Sequence, residues 1–159
     1  MTRVSPLATL IGGELRGDGM PGDSKVPAAP TILVVDDDAA FLHSLKLLLE
    51  VSGYGVTTAE NGVRGLQAFR NTGPDIVLID VNMPKLSGLE TIRQMRRERP
   101  GAKIIVMSGG LENQDLPSVA RELGAAAAIE KPFDPEALTK LLADLLRPDA
   151  TNPAASPSR

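Results

Sequence analysis

The sequence predicts an α/β domain built as a doubly wound, five-stranded parallel sheet with helices on both faces. Two observations carry that prediction. Five short apolar runs alternate with five longer segments whose apolar residues recur at helical spacing. The first and third runs, "TILVVD" and "DIVLID", are continuous rather than alternating, as strands covered on both sides are.

Each element can be justified in order. After "TILVVD", Asp38 is placed to cap a helix over residues 39–51, "AAFLHSLKLLLEV". "GVTTA" is a second, weaker strand, and Asn61 is a cap for a helix with Val63, Leu66 and Phe69 on one face. "DIVLID" is the third strand. Ser87-Gly-Leu-Glu90 has the form of a capping box, opening a helix that turns Leu89, Ile92 and Met95 inward. "AKIIVMS" is the fourth strand, and a helix from Asp115 to Leu123 should stop at Gly124. "AAAIE" is a short fifth strand. The last helix takes Asp134 as cap and Pro135 at its first position, and should bury Leu138, Leu141, Leu142, Leu145 and Leu146.

The totals bound what such a domain can do. The chain has 159 residues, room for one domain and two tails. Residues 1–30 are rich in Gly and Pro without a period and read as a flexible arm. Residues 31–147 form the domain, and 148–159 read as a flexible tail. A net charge of −3 gives no reason to expect nucleic acid or an acidic membrane as partner. The basic stretch "RQMRRER" alternates with Gln, Met and Glu, as a solvated helix face does. Without cysteine there is no disulfide and no thiolate chemistry, and one histidine, His43, cannot build a zinc cluster. No apolar run reaches bilayer length, and "LATLIGG" is a poor signal core, so a cytoplasmic address is expected.

Right-handed crossovers put the C-terminal ends of all five strands on one edge, where ligands of such folds bind. The residues that end the strands are Asp36, Asp37 and Asp38, then Asp80, then Ser108 with Gly109-Gly110, then Lys131-Pro132. Three carboxylates about 5 Å apart repel by about 3 kcal/mol per pair at an effective dielectric near 20. A cation relieves that. An all-oxygen set without His or Cys favours a hard ion with open positions for water, which is Mg²⁺. Asp37 and Asp80 would be direct ligands, the Asn82 carbonyl a third, with Asp36 holding an inner water. Together with the Lys131 ammonium and the Ser108 hydroxyl, this set suits a phosphoryl group, and Asp80 would be its nucleophile.

With those residues in place, the chain resembles a response-regulator receiver domain of two-component signalling over about residues 31–147. "ILVVDDD", "VLIDVNMPKLSG", "IIVMSGG" and "GAAAAIEKPF" stand in the order and spacing of that family. The resemblance implies a flavodoxin-like sheet of strand order 2-1-3-4-5 and a cis bond before Pro132. It implies Asp36 and Asp37 as the acidic pair, Asp80 as phospho-acceptor, Ser108 at the Ser/Thr position and Lys131 as the phosphate-pairing lysine. The implied partners are a histidine kinase or histidine phosphotransfer protein upstream and another protein downstream. One position departs from the pattern. Receivers usually carry a ring three residues before the lysine, and here that residue is Ala128.

The expectation is a stand-alone switch that accepts and loses a phosphoryl group and is not otherwise an enzyme. A Mg²⁺-dependent phosphatase would need a second acid two residues after its nucleophile, and that position is Asn82. The other alternative is an interaction module indifferent to phosphorylation, which Ala128 keeps open. Met83-Pro84 should shape the loop after Asp80, since proline ends strand pairing. Singly, each residue has an ordinary reading too: acids suit a helix start and "SGG" suits a turn.

Overall fold

Five strands and five helices alternate among the described residues of the computed structural model, which are 28–83, 87–110 and 115–148. They are β1 (Thr31–Val35), α1 (Ala39–Val51), β2 (Gly55–Ala59), α2 (Gly62–Thr72) and β3 (Ile76–Asp80), then α3 (Gly88–Glu98), β4 (Lys103–Ser108), α4 (Leu116–Leu123), β5 (Ala127–Glu130) and α5 (Pro135–Leu146). The strands form one parallel sheet in the order β2-β1-β3-β4-β5, as expected. The arm expected over 1–30 lies outside the described residues up to position 27. So do the loop at Pro84 and the tail from 149 onward.

Strand alternation sorts the core into two layers. Leu33, Val35, Val77, Ile79, Ile104 and Val106 point to one face, where they pack with Leu66, Phe69, Ile92, Met95 and Ala120. Their neighbours Ile32, Val34, Ile76, Leu78, Ile105 and Met107 point to the other, against Leu42, Leu45, Leu49, Leu138 and Leu142. Thus α1 and α5 cover one face and α2, α3 and α4 the other. Every residue of the central strand β3 is buried, while the edge strands β2 and β5 are only half-covered. That explains why "DIVLID" reads as unbroken and "GVTTA" as weak.

Caps fix where the helices begin. The Asp38 carboxylate accepts from the amides of Ala40 and Phe41 at 3.0 and 3.1 Å. Asn61 caps α2, Ser87 caps α3 through the Glu90 amide, and Asp115 caps α4. Each such cap stabilises by about 1 kcal/mol. Gly124 ends α4 with φ 73°, a left-handed turn that a side chain would strain.

Three expectations need correction. Val63 does not join Leu66 and Phe69; it is 56% exposed. The buried stripe of α2 runs through Gly62 and Gly65, because a Cβ on Gly65 would sit 3.0 Å from Val35, so the helix lies close to β1 and turns Val63 out. Asp134 occupies the cap position of α5 but makes no side-chain cap bond to the amides of the first turn; its backbone carbonyl accepts from the Leu138 amide. In α5 only Leu138 and Leu142 are buried, and Leu141, Leu145 and Leu146 pack half-exposed at the margin of the layer.

The basic stretch of α3 is largely structural. Arg99 lays its guanidinium 4.2 Å from the Phe69 ring centroid and donates to the Pro74 carbonyl at 3.2 Å, and Arg96 donates to the Ala102 carbonyl at 3.1 Å. Arg93 reaches Glu90 of its own helix.

At the first residue of α3 the backbone passes against the strand it follows. A Cβ on Gly88 would lie 2.2 Å from the Asp80 carbonyl oxygen and 2.6 Å from Val81 Cα. These are backbone atoms that cannot rotate away. Gly88→Ala should therefore cost about 2–3 kcal/mol in denaturant unfolding, whereas Gly101→Ala, which meets open space, should cost much less. Equal midpoints for the two variants would contradict this packing.

Candidate functional site

Parallel register sets the site. Val35 pairs with Ile79, so Asp36 and Asp80 emerge side by side from neighbouring strands. Asp80 pairs with Met107 and Ser108 with Glu130, so Ser108 and Lys131 follow one step further along the same edge. The ladder continues past the strands: the Asp36 amide donates to Ala59, Val81 to Met107 and Lys131 to Ser108. Asp36 and Lys131, 95 positions apart in the chain, come within hydrogen-bond distance.

Asp36 is 1% exposed and Asp80 5%, while Asp37 stands open to solvent. One carboxylate oxygen from each of the three lies within 4.8 Å of the others. The Lys131 ammonium sits between the two buried acids, 2.7 Å from Asp36 Oδ2 and 3.4 Å from Asp80 Oδ2. The other oxygens are also engaged. Asp36 Oδ1 accepts from the Asp38 amide and Asp80 Oδ1 from the Asn82 amide, both at 2.9 Å. Lys131 and Pro132 are joined by a cis peptide bond, as expected.

Burial is the main influence on Asp80. It pushes the carboxyl above its ordinary range, against the Asn82 amide and the Lys131 charge, and the neighbouring Asp36 adds to the rise. For Lys131 burial works in the lowering direction, but the hydrogen bond and charge of Asp36, with those of Asp80, outweigh it and raise the ammonium. The site is thus short of positive charge. An all-oxygen donor set of three carboxylates with one ammonium fits a hard divalent cation such as Mg²⁺.

Ser108 is fully buried, and its oxygen accepts from Asn82 Nδ2 at 3.2 Å and from the Gly110 amide at 3.0 Å. Asn82 Nδ2 also donates to the Gly110 carbonyl at 3.2 Å. The Asn82 side chain therefore ties the segment after β3 to the segment after β4. Sequence reasoning used the backbone carbonyl of Asn82 and the lack of an acid at that position, and missed this tie. It missed two rings as well. Phe41, in the first turn of α1, faces the Lys131 ammonium at 4.3 Å from its centroid, and Phe133 meets Phe41 edge-on at 6.0 Å. A signal existed: Phe41 and Phe133 each stand a few residues from a predicted site residue. His43, expected at the surface, is exposed.

Comparison with known proteins adds the following. The model of the response regulator receiver domain matches residues 32–143. The chain is 36% identical over 118 residues to the transcriptional regulatory protein FixJ of Bradyrhizobium diazoefficiens, covering 73% of this chain and 56% of that protein. It is 35% identical over 116 residues to the alkaline phosphatase synthesis transcriptional regulatory protein PhoP of Bacillus subtilis, covering 73% and 48%. The chain spans about half the length of the curated relatives it matches. Among solved structures, a response regulator receiver domain protein from Clostridium thermocellum superposes with TM-score 0.68 at 32% identity, covering 72% of this chain and 92% of that one. The response regulator TrrA of Thermotoga maritima, in complex with Mg²⁺ and BeF, superposes with TM-score 0.66 at 34% identity, covering 74% and 99%.

The raised Asp80 carboxyl has a consequence for stability. A carboxyl that holds its proton more tightly folded than unfolded contributes most when protonated, and that contribution is lost as pH rises through its folded-state pKa. Asp80→Asn removes the ionised form. Without divalent ions, the stability advantage of Asp80→Asn over wild type should therefore grow from pH 4 to pH 7, measured by chemical denaturation. An advantage that shrinks over that range would show the carboxyl is depressed instead.

Proposed function

Since this chain belongs to the response regulator receiver domain family, we propose that it is a phosphorylation-dependent switch with Asp80 as the phospho-acceptor. The observation that carries the reading is the meeting of Asp80, Asp36, Asp37 and Lys131 at one buried strand edge. In this reading a phosphorylated histidine of a kinase or phosphotransfer protein docks in the cytoplasm with its phosphorus facing Asp80. A carboxylate oxygen of Asp80 attacks phosphorus, the P–N bond breaks, and the imidazole leaves with the bonding pair and takes up a proton. Lys131 shifts from Asp36 toward a phosphoryl oxygen, and the Ser108 hydroxyl donates to another.

Asp36, Asp37 and Asp80, with the Asn82 carbonyl, would hold Mg²⁺. When bound, that ion supplies the neutralisation that lets an anionic nucleophile meet an anionic phosphoryl group. Asn82 carries an amide where a phosphatase of external substrates would need an acid, so the chain is read as accepting and losing phosphate without further turnover. The signal passes to a partner protein. The alternative, a module whose binding ignores phosphorylation, draws on Ala128, a half-buried methyl three residues before Lys131.

Intact mass after incubation with a small phosphodonor and Mg²⁺ tests this. Wild type should gain one phosphoryl group, Asp80→Asn none, and chelation of the metal should suppress the gain. Lys131→Ala should slow uptake on the order of 10²-fold, as loss of a charge-stabilising donor does. Full uptake by Asp80→Asn would overturn the assignment.

A further inference from the structure

Strand alternation decides which way the site looks. Residues 76 and 78 of β3 face the layer of α1 and α5, and Asp80 shares their parity. Residues 32 and 34 put Asp36 on the same side, and residues 127 and 129 of β5 do so for Lys131. Ala128 has the opposite parity and packs on the layer of α2, α3 and α4. A methyl has no rotamer to change, so at position 128 no side chain can swing in response to the site.

The rings of the chain are few: three Phe and one Tyr. Phe69, on the inner face of α2, lies buried beneath Arg99, and Tyr54 stands beside the end of α1, its amide bonded to Leu49. Phe41 presents its face to the Lys131 ammonium at 4.3 Å, and Phe133 braces Phe41 edge-on at 79°. Both are half-buried, so each has room to move, and each belongs to the layer of α1 and α5.

We propose that Phe41 and Phe133 form an aromatic reporter that senses the position of the Lys131 ammonium and passes the state of Asp80 to the surface of α1 and α5. This rests on Asp80 being the phospho-acceptor. In the resting site the ammonium is shared among Asp36, Asp80 and the electron-rich face of Phe41. A phosphoryl group adds about −1.5 to −2 charge at Asp80 and draws the ammonium onto its oxygens. The Phe41 face then loses its cation, the edge-on contact with Phe133 resets, and the start of α5, two residues beyond Phe133, follows.

NMR spectroscopy of the full chain, with and without Mg²⁺ and beryllofluoride as phosphoryl mimic, provides the test. In resting wild type the Lys131 ε-methylene protons should be shifted upfield by the Phe41 ring, and Phe41→Leu should abolish that shift. On adding the mimic, wild type should show shift changes at Phe133 and the first turn of α5. Phe41→Leu should reduce those by about half or more, while Phe41→Tyr, which keeps the π face, should restore them. Phosphoryl uptake is followed by intact mass in parallel samples that receive Mg²⁺ and a small phosphodonor in place of the mimic. Uptake with α5 changes in Phe41→Leu equal to wild type would overturn the reporter and leave Asp80 as acceptor. Lys131 protons unshifted in the resting protein would overturn it as well. No uptake by wild type would overturn the acceptor reading, and the reporter with it.

Discussion

Two carboxylates buried beside each other, with one ammonium between them, constrain everything else at this strand edge. At 2.7 Å the Lys131–Asp36 attraction is about 6 kcal/mol at an effective dielectric near 20, before desolvation is charged against it. Desolvation of the three groups takes back much of that. The outcome differs by group: burial outweighs the partners at Asp80, and the partners outweigh burial at Lys131. A site so poised can be rearranged by one added charge. A well-compensated ion pair could not.

Sheet geometry explains why the acids differ in exposure. Asp36 and Asp80 continue the strand parity that leads under α1 and α5, so their burial follows from the sheet itself. Asp37 falls on the turn between β1 and α1 and remains open to water. An ion entering from solvent would meet Asp37 first and the buried pair behind it. The exposed acid lowers the cost of approach, and the buried pair supplies charge in a medium where charge counts for more.

Much of this was legible in the sequence, and the reasons are local. β1, β3 and β4 are buried on both faces and so wrote themselves as apolar runs, and their register then fixed Asp36, Asp80, Ser108 and Lys131 without further information. Caps at Asp38, Asn61 and Ser87 are one-residue signals with a single geometric meaning. What was hidden depends on distance of approach. Val63 matched helical spacing, but the closeness of α2 to β1 is set by Gly65 against Val35, which periodicity does not record. Phe41 over Lys131 joins the first turn of one helix to the end of the last strand. Neither motif contains the other.

The state of the hydroxyl completes the picture. Ser108 oxygen accepts from both Asn82 and the Gly110 amide, so its lone pairs are satisfied by the two segments it joins. Its proton is different: among the described residues no acceptor takes it. Two donations onto an oxygen polarise its O–H bond and strengthen what that proton can give. Lys131, by contrast, is already committed to two carboxylates and a ring. On the proposed reading, an anion arriving at Asp80 would find one donor without an acceptor among the described residues and one that must be drawn off its partners. The unspent donor adds affinity at no cost to existing bonds. On the proposed reading the committed one would convert arrival into movement.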